Sequence, residues 1–391
     1  MSRVLRCSGY DLVLDEIVCA EGCRLFDASG RSYVDFEAGV WCAALGHNPP
    51  RLREAITAQL ERIAHIGYRY TTEIVERAAS DLLGVLDMEA GQCVFLSSGS
   101  EAVEFSVQAA RLASGRPLLL GFADVFLGSY GTIRTQPSDA WWLFDVFACD
   151  GCPDADDCDR DCPCLAEIPY ERIGAFVFEP GCSSGLVRLP APGPVREIAR
   201  RVRAAGGLLV VNEVTTGMGR TGAWFGHRHY DLAPDLVAVG KGLGNGYPVS
   251  AIALSGDVAR CLPEAGFHYA QSHQNDPLGC AVAVEVIQAL GEEGLIERSR
   301  RLGAELLERL SALAERHETI AEVRGRGLML AIVLRRDVPA IEVYRELLDG
   351  GLIVGCKPAF NLLRLMPPLT VPEEDVRRLI DALDGFLSRR S

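Results

Sequence analysis

The stretch LLVVNEVTTGMGRTG (Leu208–Gly222) indicates the fold class, because it joins a short apolar run to a glycine-rich loop. Its first four residues are branched and apolar, which is typical of a strand buried on both faces of a parallel sheet. Asn212 and Glu213 follow at the point where such a strand would end. We therefore predict a parallel strand whose carboxyl end presents polar side chains to a ligand.

Three other runs share this pattern of a short apolar segment that ends in polar residues or glycine; they are CVFLSSGS (93–100), GAFVFEP (174–180) and LVAVGKG (236–242). Between them lie segments with apolar residues at helical spacing, such as VREIARRVRAAGG (195–207). Strands that alternate with helices predict an α/β fold, with a large domain built on a mostly parallel central sheet.

The two ends of the chain have a different pattern. Residues 11–36 contain a hairpin signal with a Ser29-Gly30 turn, and residues from 283 onward give a long helical pattern followed by strand-like runs. We predict a smaller α+β domain formed from both termini, with residues 1–45 and 286–391 in it. Residues 46–285 would form the large domain, with a cysteine-rich insert at 149–164.

Composition limits the function classes. The 391 residues carry 39 basic and 53 acidic side chains, a net charge of −14, which argues against nucleic acid or an anionic membrane as a partner. No apolar run approaches the roughly 18 residues of a membrane helix. The N-terminal segment has no apolar signal region, so we expect the 14 cysteines to be reduced in a cytoplasmic protein.

Lys241 is the first candidate for chemistry, since it follows a strand-like run and is flanked by Gly240 and Gly242. A lysine at the end of a buried strand is partly desolvated, which lowers the pKa of its amine and favours a Schiff base with a carbonyl. The flanking glycines permit the close approach of a planar group. A solvated loop lysine is the alternative interpretation.

The segment LSSGSEAVE (96–104) has the pattern of a strand, a turn and a helix. Ser98 and Glu101 match a capping box, and Gly99 lets the chain close on a ligand. The backbone N–H groups and the hydroxyls of Ser98 and Ser100 could therefore bind a phosphate. An ordinary helix cap would give the same sequence signal.

These motifs resemble those of the class III aminotransferases of fold type I, and the likeness covers nearly the whole chain. The stretch NEVTTGMGRTGAWFGHRHYDLAPDLVAVGKGLGNGYP (212–248) is similar to the family signature, and LSSGSEA, GHNPP and NDPLGCAVA are similar to other family motifs. The resemblance implies pyridoxal phosphate (PLP) as cofactor. It also implies an aminotransferase that moves an amino group between an amino acid and a keto acid or aldehyde, in a homodimer with shared active sites.

The resemblance further implies a role for each matching residue. Lys241 would form the internal aldimine and carry protons during catalysis. Phe126 would stack on the cofactor, Thr215 would lie near its phenolic oxygen, and Ser272 would reach the phosphate in the neighbouring subunit. The cofactor-binding residues implied in this way are Ser98, Gly99, Ser100, Phe126, Asn212, Thr215, Lys241 and Ser272.

Arg364, in NLLRLMPP, matches the family's arginine near the C-terminus and would bind a substrate carboxylate. Some relatives mask this arginine with the second glutamate of a segment that reads EPGCSS here, where Ser184 replaces that glutamate. We therefore expect Arg364 to be free for an α-carboxylate. Trp41, Tyr68 and Tyr70 resemble residues of the pocket wall.

Asn212 is the main departure from the family pattern, which has an aspartate that keeps the pyridine nitrogen of the cofactor protonated. A neutral amide would give a poorer electron sink. This change favours an alternative function, amino-acid racemisation or epimerisation, which needs reprotonation only at the substrate's Cα. A second alternative is a PLP-binding protein without activity, although Lys241 and the phosphate motif argue against it.

Five cysteines lie close together in CDGCPDADDCDRDCPC; they are Cys149, Cys152, Cys158, Cys162 and Cys164. Four thiolates can bind a structural zinc ion, but the spacing lacks a second C-x2-C pair. The segment also resembles a cysteine-rich insert found in some class III members. We predict an acidic surface loop without a metal, with zinc binding as the alternative.

Overall fold

A computed structural model describes residues 3–5, 12–14, 16–134, 138–149, 152, 158, 162–181 and 185–390. The strands of this part are, in chain order, β1 (Ile17–Glu21), β2 (Arg24–Asp27), β3 (Ser32–Asp35), β4 (Gln92–Leu96), β5 (Leu118–Phe122), β6 (Trp141–Phe144), β7 (Ile173–Phe178), β8 (Leu208–Asn212), β9 (Leu236–Val239), β10 (Ser250–Leu254), β11 (Ile320–Arg326), β12 (Met329–Leu334), β13 (Leu352–Ile353), β14 (Gly355–Lys357) and β15 (Leu362–Leu365).

The helical segments are α1 (Ala38–Trp41), α2 (Pro50–Leu60), α3 (Glu73–Leu86), α4 (Gly99–Ser114), α5 (Pro163–Ala166), α6 (Pro192–Ala204), α7 (Gly256–Glu264), α8 (Pro277–Glu292), α9 (Leu295–Arg316), α10 (Ala340–Asp349) and α11 (Glu373–Ser388). The long helical pattern predicted from residue 283 is two helices, because Gly294 adopts a positive φ of 61° between α8 and α9.

The central sheet of the described residues has the order β4-β10-β9-β8-β7-β5-β6. Its pairs are parallel from β9 to β6, whereas β10 runs antiparallel to both β9 and β4. Strand β4 therefore points in the same direction as β7, β8 and β9. All four runs singled out in the sequence end at one edge of the sheet, which confirms the prediction of a mostly parallel α/β fold.

Helices cover both faces of this sheet. Val103 and Val107 of α4 pack with Val210 on one face. Val195 and Ile198 of α6 pack with neighbouring β8 residues on the other. This alternation along β8 explains why its sequence is uniformly apolar: side chains on both sides of the strand are buried.

Segments from the two termini form the remaining sheets. One has the order β1-β2-β3-β13, and β3 pairs in parallel with β13 across more than 300 residues of sequence. The predicted hairpin is present, since β2 and β3 pair antiparallel on either side of Ser29-Gly30. The other sheet has the order β11-β12-β15-β14 and contains Arg364 on its strand β15. The domain boundaries at 45 and 285 stay predictions.

Segment α1 is a single left-handed turn. All four of its residues have positive φ, from 45° at Ala38 to 69° at Trp41, and Val40 is among them. The left-handed conformation is unfavourable for a β-branched residue, so tertiary contacts must hold this turn. One such anchor is Asp35, whose carboxylate accepts the backbone N–H groups of Glu37 and Gly39 at 2.8 Å each. The turn delivers Trp41 to the edge where the central strands end.

Within the described part of the chain, none of the helices is long and apolar enough to cross a membrane.

Candidate active site

Lys241 begins the turn that follows β9 and Gly240, and its backbone has a positive φ of 42°. Its Nζ donates a hydrogen bond of 2.7 Å to Oγ1 of Thr215. Burial lowers the pKa of this amine to about 8; Glu179 and Cys42 oppose that shift, whereas Arg364 and Arg220 add to it. The predicted desolvation of Lys241 is therefore present, and the alternative of a solvated loop lysine is wrong.

Trp41 contacts two cations. Nζ of Lys241 is 4.4 Å from the centre of the indole ring, and Cζ of Arg364 is 4.5 Å from it. Both distances are within the range of cation–π attraction. The indole Nε1 is buried and has no hydrogen-bond partner among the described residues, which is unusual for a tryptophan. The ring thus joins the amine and the guanidinium into one site.

Arg364 is paired with Glu37, which corrects the expectation that it is free. Its Nε and Nη2 donate to Oε1 and Oε2 of Glu37 at 3.0 and 2.8 Å, a bidentate geometry, and both side chains are mostly buried. A further contact runs from Nη1 to the carbonyl of Gly185 at 3.4 Å. Sequence reasoning considered only the position of Ser184, which lies outside the described residues. It missed Glu37 because this partner is 327 positions away along the chain.

The predicted phosphate turn forms the N-terminus of α4. Ser98 is its N-cap: Oγ accepts the N–H of Glu101 at 3.3 Å and donates to Oε2 of the same residue at 3.0 Å. The serine half of the capping box is therefore present and occupies the hydroxyl of Ser98, whereas Glu101 accepts the N–H of Ser97 at 3.0 Å. Oγ of Ser100 accepts the N–H of Ser129 at 3.1 Å. The backbone N–H groups of the first helical turn, which have no partner inside the helix, are what this turn offers to an anion.

Gly99 has a steric reason to be glycine. A Cβ built on it would lie 2.5 Å from Cγ1 of Val214, which is too close for any side chain. At this point the backbone of the turn after β4 packs against the side chain of Val214, which lies in the loop after β8. The close approach keeps the first turn of α4 next to the polar end of β8.

Asn212 is buried at the end of β8 and both ends of its amide are engaged by backbone. Nδ2 donates to the carbonyl of Phe126 at 3.3 Å, and Oδ1 accepts the N–H of Val214 at 3.1 Å. A donor faces a carbonyl and an acceptor faces an N–H, so the orientation of the amide is determined by its partners. The amide ties the loop that carries Phe126 to the end of β8.

Glu213 and Arg220 are site-forming residues to which sequence reasoning gave no role. Glu213 is fully buried and accepts four hydrogen bonds, from Oγ1 of Thr216, the N–H groups of Gly226 and His227, and Nδ1 of His227. Burial would raise the pKa of this carboxyl, but the bonds from His227 and Thr216 lower it. These bonds hold together the two ends of the loop that follows β8. Thr215 lies in this loop, where its Oγ1 accepts the hydrogen bond from Nζ of Lys241.

Arg220 links that loop to the C-terminal part of the chain. It is buried, and its Nη1 donates to the carbonyls of Leu328 (3.0 Å) and Pro367. Burial lowers the pKa of this guanidinium to about 10, so it still carries its charge at pH 7. A signal for this residue was available in the sequence, because a lone arginine in a glycine-rich loop is an unusual choice unless it is bound by carbonyls.

Four residues implied by the resemblance lie at the surface of the chain. Tyr68, Tyr70 and Phe126 are 54, 72 and 48% exposed, and Ser272 is also exposed. The single chain therefore brings together Lys241, Thr215, Trp41 and Arg364, but leaves these four at its boundary.

The cysteine-rich insert is only partly described. Cys149 is buried, and Cys158 and Cys162 pack against the hydrophobic cluster around β7 and α6. Burial and the neighbouring Cys162 raise the pKa of Cys158 to about 12. None of the twelve cysteines that the structure describes is in a disulfide bond.

The donor set fits PLP. A buried amine of lowered pKa suits a Schiff base, the N-terminus of α4 suits a phosphate, and Asn212 adds an amide at the end of β8. The unpaired Nε1 of Trp41 marks a polar surface that still needs a partner. The seven-stranded, mostly parallel sheet, with these donors at the carboxyl ends of its strands, defines the class: a PLP enzyme of fold type I.

Comparisons with known proteins give the family. A sequence model of the Aminotransferase class-III family matches residues 8–133 and 154–387, so the chain belongs to that family. The acetylornithine aminotransferase of Methanosarcina mazei is 31% identical, over 96% of each chain. An aminotransferase structure from Bacillus anthracis superposes with a TM-score of 0.86 at 26% identity, covering 96% of this chain and 93% of that one.

A PLP-bound amine transaminase from an uncultivated Pseudomonas species superposes with a TM-score of 0.87 at 25% identity, covering 100% of this chain and 99% of the other. The chain is thus a PLP-dependent aminotransferase of class III. The comparisons give no support to the racemase alternative.

Proposed function

We propose that this transaminase takes the amino group from an amino acid whose carboxylate is bound by Arg364, and passes it to a keto acid or aldehyde. One observation carries the proposal: the amine of Lys241 and the guanidinium of Arg364 both contact the ring of Trp41, at 4.4 and 4.5 Å. A group that reacts with carbonyls and a group that binds carboxylates thus face one small volume, as an amino-acid substrate requires.

The cofactor would be held by residues at the ends of three strands, β4, β5 and β8. The first turn of α4, at Ser98, Gly99 and Ser100, would bind the phosphate. Phe126 would lie against the ring, with Asn212 at the ring nitrogen and Thr215 near the phenolic oxygen. When bound, PLP supplies an electron sink for the carbanion formed at the substrate's Cα.

Lys241 would hold and move the proton at Cα. A pKa of about 8 leaves a useful fraction of the amine neutral near neutral pH, which a general base needs. The bond from Nζ to Thr215 fixes the direction of the amine, and Trp41 covers it from the side. The buried setting excludes water that would compete for the proton.

Glu37 would exchange with the substrate on Arg364. The guanidinium fork binds one planar carboxylate at a time in bidentate geometry, so a substrate carboxylate must displace that of Glu37. When a substrate without a carboxylate occupies the pocket, Glu37 keeps the buried Arg364 neutralised. This exchange would let the same pocket bind a substrate with a carboxylate at Arg364 in one half-reaction and a substrate without one there in the other.

The substrate class is supported by the relatives. The Methanosarcina mazei and Streptomyces coelicolor relatives, at 31 and 32% identity, are named for acetylornithine. We propose as donor an amino acid of that type, with a carboxylate and a long neutral or amino-bearing side chain, and a 2-keto acid as acceptor.

The assembly we propose is a homodimer with shared active sites, in which Tyr68, Tyr70 and Ser272 line the neighbouring subunit's site. Their exposure on the single chain supports this assembly. We further propose a cytoplasmic enzyme without nucleic-acid or membrane partners, which is supported by the free thiols of the described cysteines and by the net charge of −14.

The test is a transfer assay on the purified holoenzyme with ¹⁵N-labelled donors, comparing amino acids with amines of the same side chain. We expect Arg364→Met to lower kcat/KM for carboxylate-bearing donors by about 10- to 100-fold, because a charge-assisted bidentate pair is lost. Activity with the matching amines should change little. Equal losses for both donor types would contradict a carboxylate role for Arg364, and full activity in Lys241→Ala would contradict the catalytic role of that lysine.

A further inference from the structure

His65, His273 and Asp276 form a cluster apart from the residues assigned to catalysis. His65 lies in the segment between α2 and α3, whereas His273 and Asp276 lie in the loop before α8. Nδ1 of each histidine is 3.0 Å from a different oxygen of the Asp276 carboxylate. The two imidazole rings are 4.7 Å apart and tilted by 48°.

The spacing of these atoms suits a metal ion. Ligand atoms bound about 2.1 Å from one ion lie about 3.0–3.4 Å apart for octahedral or tetrahedral angles. Each histidine Nδ1 is 3.0 Å from its own oxygen of Asp276, which is at the lower end of this range and is also a hydrogen-bond length. The three ligand atoms all lie within 4.8 Å of one another. Among the residues that the structure describes, no other group of three histidine, cysteine or carboxylate ligands meets this criterion.

The composition of the cluster selects the kind of ion. Two imidazoles and one carboxylate are the ligands preferred by zinc and by neighbouring transition metals, whereas magnesium and calcium prefer sets made of oxygen alone. Three protein ligands also leave positions for water or another ligand. A cavity of about 220 Å³ lies beside two members of the cluster, His273 and Asp276, and is also lined by Ser97 and Tyr247.

The backbone that carries Asp276 is held in place before any ion binds. Asp276 is the N-cap residue of α8, next to Pro277, and its side chain is only 17% exposed. The preceding residue, Asn275, pairs with the edge strand β4: its N–H donates to the carbonyl of Phe95, and its Oδ1 accepts the N–H of Phe95, at 2.9 Å each. The two histidines are more exposed, at 43 and 59%, so they can adjust to an ion.

We propose that His65, His273 and Asp276 bind one divalent transition-metal ion of the zinc type. The ion joins the segment between α2 and α3 to the loop that carries Ser272, one residue before His273. Resting on the proposed dimer, in which Ser272 reaches the neighbouring phosphate, this ion stiffens the loop that completes the neighbouring cofactor site.

The test is metal binding by the holoenzyme, purified without a histidine tag and stripped with a chelator. Calorimetry with Zn²⁺ should give about one site per chain, and Co²⁺ should give visible bands of nitrogen and oxygen ligation without the charge-transfer absorption of thiolates. This spectrum separates the cluster from the cysteines of the insert. Mg²⁺ should not compete at similar concentration.

The variants are His65→Gln and His273→Gln, with His268→Gln as the matched control, because His268 is an exposed histidine of the same loop region. Each of the first two should weaken Co²⁺ binding at least about tenfold, and the control should leave it unchanged. Cofactor absorbance and circular dichroism would confirm that the variants are folded. The absence of stoichiometric binding in the wild type, or equal binding in all variants, would overturn the proposal.

The readouts keep this inference separate from the proposed function. Metal binding is measured on the resting protein, without substrate, so a protein that binds Co²⁺ but transfers no amino group would refute only the function. Conversely, an active transaminase whose wild type binds no metal would refute only the metal site.

Discussion

Lys241 shows how the fold sets the chemistry of one residue. Burial brings the pKa of its amine from 10.5 to about 8. Because only the neutral amine attacks a carbonyl, we expect the rate at which the cofactor-free chain attaches PLP covalently to rise with pH. The midpoint of this rise should lie near pH 8, and the rate should level off at higher pH. Stopped-flow absorbance over pH 6–10 measures this midpoint. A midpoint near 10.5 would contradict the burial argument.

Asn212 is the residue that departs from the family pattern. A carboxylate in its place would pair with a protonated ring nitrogen and improve the electron sink, and each 1.4 kcal/mol of such stabilisation corresponds to about a tenfold change. We expect Asn212→Asp to speed the half-reaction that takes the donor's amino group, by about tenfold or more. Single-turnover kinetics measure this rate. An unchanged or slower half-reaction would count against the proposed position of Asn212.

Glu37 pairs with Arg364, and under the proposed exchange a substrate carboxylate must displace it, so its charge should raise the KM for carboxylates. We expect Glu37→Gln to lower KM for the keto acid by about tenfold, since the amide no longer pairs ionically with the guanidinium. Initial-rate kinetics give the value. Glu264→Gln, at an exposed position at the end of α7, is the control and should not change KM. A KM that stays at the wild-type value in Glu37→Gln would refute the exchange.

At the scale of elements, the junction between the end of β4, α4 and the loop after β8 determines the cofactor site. Gly99 lies where a Cβ would be 2.5 Å from Val214. We expect Gly99→Ala to push the first turn of α4 away, to weaken PLP binding, and to destabilise the protein by about 1–3 kcal/mol. Cofactor titration and denaturant unfolding measure the two effects.

Gly84 provides the matched control for this substitution. It lies in α3, is exposed, and would have no heavy atom within 4 Å of an added Cβ. Alanine is a better helix former than glycine, so Gly84→Ala should stabilise the protein by about 0.5–1 kcal/mol without changing PLP affinity. If Gly99→Ala lowers the free energy of unfolding while Gly84→Ala raises it, the loss at Gly99 comes from packing at the junction and not from helix propensity. A Gly99→Ala variant that is as stable as the wild type or more stable would show that the junction tolerates a side chain.

At the scale of the whole molecule, two kinds of contact join distant parts of the chain. Arg220 binds carbonyls of Leu328 and Pro367, which ties the glycine-rich loop to the C-terminal segment. The exposed Tyr68, Tyr70 and Ser272 are expected to be completed by a second copy of the chain. Activity would therefore depend on the dimer as well as on the fold of each chain.

A mixing experiment tests the shared site. Lys241→Ala and Ser272→Ala dimers should each be nearly inactive or weakly loaded with cofactor. If they are unfolded together and refolded, the hybrid dimers would contain one site with both wild-type residues, so about a quarter of all sites should recover. Activity assays and light scattering measure the recovery and the mass. No recovery in verified hybrid dimers would refute sharing through Ser272.

The strand ends and the reactive lysine were predictable because their signals are local. A run such as LLVVN is buried on both faces whichever partner it meets, so its sequence alone indicates a central strand. The same holds for the capping box at Ser98 and for Lys241 directly after β9. Polar residues at the ends of parallel strands converge by topology, which requires no knowledge of individual contacts.

The charge state of the substrate pocket was decided only by the tertiary structure. The pairing of Arg364 with Glu37 spans 327 positions, and the cluster of His65 with Asp276 spans 211. The left-handed turn that delivers Trp41 has ordinary residues at strained angles, which local preference would not choose. Sequence by itself therefore determined the fold, which follows from local periodicity, and the cofactor, which follows from the family motifs, whereas the catalytic role of Lys241 stays a prediction. The pairing of charged side chains was decided by long-range packing, because an ion pair depends on distance in space and not along the chain.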